Sequence, residues 1–181
     1  MVGASVRVYA DHVVVAALWR WDQRKEENAA IHMLKEWSDT GQITLVVSDV
    51  HYRERPLPEQ YRHAQDAILA VLPRVEFVED HQLIGFNTMY SGAGGRGGFT
   101  THPLIEDDAV ARRLGDIGLD RLDAHHVMLA IRRQCVVFVT CDEKRILRHR
   151  TRIEAEFPPI RLMLPSELVK RLPNPDDSST V

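Results

Sequence analysis

The chain has 181 residues, 44% of them hydrophobic and 27% charged, which is enough apolar chain for one domain with a substantial core and too little for two full ones. A net charge of −3 excludes a general basic field for nucleic acid, and two cysteines exclude a disulfide framework and fit a reducing, cytoplasmic compartment. No apolar run approaches the roughly 18 residues that span a bilayer, and the first ten residues lack the pattern of a signal peptide.

Residues 5–10 read as a strand that stops at Asp11, and the apolar run 13–18 follows as the start of a helix. Ala29, Ile31, Met33, Leu34 and Trp37 have helical spacing and predict a helix over 24–38, closed by Gly41. Residues 43–47 are β-branched and short, the pattern of a buried strand. A brief helix from Asp49 is ended near Arg55 by Pro56 and Pro58, a second covers 58–72, and 75–78 is a third strand. Five glycines within 91–99 predict a loop with no regular element.

Helical pattern returns over 105–114 and again over 122–131, with Asp120 as N-cap of the latter. A strongly apolar strand over 136–140, a basic helix over 143–150 and a last strand over 160–164, just before Pro165-Ser166-Glu167-Leu168, complete the order. Cys135 and Cys141 bracket the 136–140 strand at even spacing, so they are expected on one face. Strands alternating with helices argue an α/β fold with a mainly parallel sheet covered on both sides, in one domain over 1–172 and a flexible tail over 173–181.

Two strands end in an aspartate, Asp11 and Asp142, and parallel strands bring both to one edge, where open α/β sheets bind ligands. An aspartate before a helix is also a favoured N-cap, which needs no catalytic reason. Two more acids join them. Glu54 sits in the short helix after the second strand, flanked by Arg53 and Arg55, and its bland reading is a solvated helix residue. Asp123 shares a helical stripe with Val127 and Ala130, and an aspartate on a core-facing stripe is costly unless it is paired or bound to a cation.

Asp11 after the first strand, Glu54 in Ser-x-x-x-x-x-Glu, Gly118-Leu119-Asp-Arg-Leu122-Asp123-Ala124-His125-His126, Phe138-Val139-Thr140-Cys141-Asp142 and Leu164-Pro165-Ser166-Glu167 together resemble the acidic signature of PIN-domain nucleases, in order across nearly the whole chain. The resemblance implies a three-layer α/β/α sandwich in which Asp11, Glu54, Asp123 and Asp142 hold Mg²⁺ or Mn²⁺ and hydrolyse phosphodiester bonds of RNA. Its common bacterial members are VapC-type toxins, dimeric ribonucleases held inactive by a small antitoxin protein. Simple electrostatics agrees with such a site, because two carboxylates about 4 Å apart repel by roughly 4 kcal/mol at an effective dielectric near 20. A hard divalent ion removes that cost, and ligands that are all oxygen suit Mg²⁺ or Mn²⁺ rather than zinc.

Around the four acids, Thr140 is placed to hydrogen-bond an acid or a phosphate oxygen, and His126 is expected to be a packed helix residue that orients Asp123 or its surroundings. The basic stretch Lys144, Arg145, Arg148, His149, Arg150 and Arg152 is either a solvated helix face or a rim for the RNA backbone, with Arg145 and Arg148 as the substrate contacts. Position 13 is valine, which excludes the Asp-x-Asp of haloacid dehalogenase phosphatases. The alternative is a catalytically silent PIN-like module that binds RNA or protein, for which His12 beside the first acid is the hint.

Overall fold

Apolar alternation along the first strand decides how the layers assemble. In the computed structural model, which describes residues 5–48, 76–78, 90–91, 99–100 and 108–172, the chain runs β1 (Val6–Ala10), α1 (His12–Arg20), α2 (Lys25–Asp39), β2 (Ile43–Ser48), β3 (Glu76–Val78), β4 (Tyr90–Ser91) and β5 (Phe99–Thr100). It continues through α3 (Ala109–Ile117), α4 (Arg121–Arg132), β6 (Val137–Val139), a 3₁₀ turn at Leu147–His149, α5 (Arg150–Glu156), β7 (Arg161–Met163) and α6 (Pro165–Arg171). Val8 and Ala10 of β1 point to one side of the sheet and Tyr9 to the other, the period of two that a strand imposes.

Each side is a separate core. Tyr9, Val46, Phe138 and Leu162 pack under α3, α4 and α5 with Leu114, Met128 and Ile153, while Val8, Leu45, Val137 and Val139 pack under α1, α2 and α6 with Val14, Leu34 and Leu168. The result is a three-layer α/β/α arrangement. Its sheet has five strands in the order β3-β2-β1-β6-β7, all parallel, with Val8 opposite Leu45 on β2 and opposite Val137 on β6. From β1 the chain winds outward through β2 to β3; it returns on the other side of β1 with β6 and winds outward again to β7. The order therefore reverses between β1 and β6, the place where ligands of open parallel sheets bind.

Several boundaries differ from those expected. α3 starts at Ala109 rather than at 105, because the Asp108 side chain accepts hydrogen bonds from the Val110 and Ala111 N–H groups and fixes the helix start. The expected helix over 143–150 is absent: the Asp142 carboxylate accepts from the Arg145 N–H at 2.8 Å, and its carbonyl accepts from Ile146 and Leu147, which closes a turn instead. The regular helix begins only at Arg150 and runs to Glu156. Pro165-Ser166-Glu167, which the resemblance implies as the turn after the last strand, instead start α6, where Glu167 accepts from the Leu164 N–H and the buried Glu27 of α2 accepts from the Ser166 N–H and hydroxyl at 3.0 and 2.7 Å.

The glycine-rich stretch is flanked by an antiparallel pairing of β4 with β5, Ser91 opposite Phe99, so both ends of the expected loop are strand. The two cysteines lie in different cores, Cys135 with Phe138 and Cys141 beside Val139 and Met163. The strand spans only 137–139, so its alternation does not reach either of them. The expected helices over 49–72, the interior of the glycine-rich segment and the tail 173–181 lie outside the described residues. Among the described residues no helix is long and apolar enough to cross a membrane.

Candidate functional site

The carboxyl ends of β1 and β6 carry the site. Asp11 continues the ladder through its N–H to the Val139 carbonyl at 3.0 Å, and its carbonyl accepts the first bonds of α1 from Val14 and Val15. Its carboxylate is divided in use: Oδ1 accepts from the His12 N–H at 2.7 Å, a helix-start contact, and Oδ2 accepts from the Thr140 hydroxyl at 2.6 Å. That hydroxyl in turn accepts from the Asp142 N–H at 3.0 Å, so one threonine ties the acid of β1 to the acid that follows β6. Thr140 itself is fully buried.

Asp123 arrives from the helix layer. Gly118 ends α3 with φ +117°, which lets the chain turn at once into the Asp120 cap of α4, whose carboxylate accepts from the Leu122 and Asp123 N–H groups at 3.0 Å each. Asp123 then falls in the first turn of α4, where the helix dipole favours a negative charge. Asp11 and Asp123 are each 4% exposed, yet both border an open cavity of about 430 Å³ together with His12, Asp120, Asp142 and Arg145.

One cation bridges three of these acids. The Arg145 guanidinium lies 3.2 Å from Asp123, 3.2 Å from Asp142 and 3.6 Å from Asp120. Despite it, the Asp123 carboxyl is pushed up to about 7, first by burial and then by the charge of Asp120, with Asp11 and Asp142 adding to the effect; Arg145 acts in the other direction. Five aspartates, Asp11, Asp22, Asp120, Asp123 and Asp142, line the cavity against two arginines, Arg20 and Arg145, so acids outnumber cations there.

Three of the four expected ligands, Asp11, Asp123 and Asp142, meet at this cavity. Glu54, the fourth, lies outside the described residues. Thr140 hydrogen-bonds an acid, as its position suggested. Arg145 faces the carboxylates, whereas Arg148 is exposed and donates to the His149 ring at 2.8 Å. Arg150 pairs with Glu167 and Arg152 donates to the Ile117 carbonyl, so the basic stretch is spread over several neighbours rather than forming one face. The Tyr9 hydroxyl bridges His126 Nδ1 at 2.8 Å and Ser48 at 2.6 Å in the core beneath α4.

Two features escaped the sequence reading. Asp120 is both cap and cavity wall, and a capping motif alone carries no sign of the second role. Glu27 is a buried acid whose helical spacing with Ile31 and Leu34 was the available signal. Cys141 borders a second cleft with Glu143 and Lys144, and its thiol is pushed up to about 12 by burial and then by Glu27, which makes it inert as a nucleophile at neutral pH.

The donor set is all oxygen, crowded and partly buried, which matches the chemistry of a hard divalent cation. Among the described residues no three His, Cys, Asp or Glu side chains stand around a common point as a finished cage. Asp120, Asp123 and Asp142 face the Arg145 guanidinium instead, and Asp11 accepts from His12 and Thr140. Neither a protein-family model nor a curated protein matches the chain.

Proposed function

We propose that the chain is a PIN-like, metal-dependent endoribonuclease in which Asp11, Asp123 and Asp142, with Glu54, hold Mg²⁺ or Mn²⁺. The observation that carries this reading is the convergence of Asp11, Asp123 and Asp142 on one cavity where the strand order reverses. When bound, the ion supplies an activated water at neutral pH and neutralises charge developing on the phosphate. Thr140 fixes the Asp11 carboxylate, so that ligand needs no reorganisation when the cation and substrate arrive. Burial of Asp11 and Asp123 strengthens every charge interaction made there.

The same reading makes the protein a cytoplasmic homodimer acting on RNA, with a small antitoxin protein as its inhibitor if it is the toxin of a toxin-antitoxin pair. Purified protein is expected to cut single-stranded RNA with Mn²⁺ and not with EDTA. Asp11→Asn and Asp123→Asn are each expected to lower the rate by at least a hundredfold, on the order of 3 kcal/mol of transition-state stabilisation. Wild type and both variants behaving alike in a gel-based cleavage assay would reject the enzyme. Copurification of a small partner from the native host distinguishes a toxin from a solitary nuclease.

A further inference from the structure

The side chain of Arg145 is 59% exposed, and yet it makes three carboxylate contacts, to Asp120, Asp123 and Asp142. Its backbone is held by a separate donor, the N–H that the other oxygen of Asp142 accepts at 2.8 Å. The anchor and the charged group are therefore separable: the guanidinium can leave the cavity by rotating its own side chain while the turn that carries it stays closed. An arginine open to solvent gives up its ion pairs at small cost, whereas Asp123, unlike Asp120 and Asp142, is buried and cannot follow it out.

We propose that Arg145 is a built-in counter-ion that occupies the cation position of the metal-free protein and competes with the divalent ion for Asp123 and Asp142. This rests on the metal-site reading above and revises the role of Arg145 from a substrate contact to a residue that sets metal affinity. Two of the three carboxylates that it holds are expected ligands. A guanidinium is planar, with donors in a fork, and cannot provide the compact octahedral centre that Mg²⁺ demands, so both cannot occupy the same oxygens. Loading the site therefore includes an outward swing of Arg145, and the affinity for the ion is lowered by the contacts that swing breaks. Once outside, the same cation lies at the cavity rim.

Binding of Mn²⁺ to the full chain, followed by loss of the free-ion electron paramagnetic resonance signal and by calorimetry, tests this. Arg145→Gln is expected to bind Mn²⁺ about tenfold more tightly than wild type, with Arg145→Lys, a compact charge without the fork, in between. Thermal melts give a second readout: without metal Arg145→Gln melts below wild type at low salt, and saturating Mn²⁺ raises its melting temperature by more than it raises that of wild type. Equal or weaker Mn²⁺ affinity in Arg145→Gln, with wild type binding normally, overturns the counter-ion alone. Absence of Mn²⁺ binding in wild type and in both variants overturns the metal site and the counter-ion together.

Discussion

Asp123 shows how one residue serves two ends of the argument. Its position four and seven residues before Val127 and Ala130 placed it on a core-facing stripe, and in the fold it is 4% exposed and surrounded by Asp120, Asp11 and Asp142. An acid whose folded pKa, about 7, lies above its ordinary value of 3.8 binds more protons folded than unfolded between those limits. The stability it contributes is complete below about pH 4 and is lost as pH rises through 7. His149 works the other way, since burial first, and then Arg148 and Arg152, push its pKa down, so its contribution is lost as pH falls. The difference between wild type and Asp123→Asn isolates the carboxyl. In EDTA, urea melts from pH 5 to 8 are expected to show wild type losing on the order of 2–4 kcal/mol relative to the variant. Parallel curves would place Asp123 in a solvated, ordinary environment.

At the level of elements, the glycine of the Gly118-Leu119-x-x-Leu122-Asp123 run acquires a physical reason. Gly118 has φ +117°, and a Cβ there would lie 2.9 Å from Cε1 of His149. The turn it permits sets the start of α4 and with it the height of Asp123. Gly41 also has a positive φ, +80°, but open space around it. Gly118→Ala is expected to cost about 1–2 kcal/mol, a fall of roughly 3–8 °C in melting temperature, and more than Gly41→Ala, which pays only the backbone term. Equal losses would mean that the His149 ring moves aside. These elements also show where sequence sufficed. α2 and α4 were legible from long apolar periodicity, joined in α4 by the Asp120 cap, and β2 from its short β-branched run. The segment after Asp142 was not, since basic residues of high helix propensity gave way to a side chain that captured the Arg145 N–H. α6 was not legible as a helix because its start is stabilised by Glu27, 139 residues away in sequence.

For the whole molecule, alternation of strands and helices was enough to expect a parallel sheet with helices on both faces. The strand order was not legible, because it depends on which strands pair across long connections. That order decides the function argument: it sets Asp11 and Asp142 on neighbouring strands at the reversal, while the fourth acid, Glu54, stays with the residues that are not described. The charge balance adds a constraint on how a polyanion reaches them. The chain carries −3 overall, the cavity is bordered by Asp11, Asp22, Asp120, Asp123 and Asp142 against Arg20 and Arg145, and Arg145 is already engaged with three of these acids. A phosphate entering the metal-free cavity meets uncompensated negative charge within a Debye length of about 8 Å at physiological salt. RNA binding is therefore expected to depend on the cation and not only to be followed by it. Fluorescence anisotropy of a labelled single-stranded phosphorothioate RNA should show affinity at least tenfold higher in Mn²⁺ than in EDTA, with the difference abolished in Asp11→Asn. Equal affinity in EDTA would locate RNA binding on another surface and leave the cavity to act only on strands delivered to it. A gain in Mn²⁺ that survives in Asp11→Asn would mean that the ion acts by screening the chain's net charge rather than by filling the site.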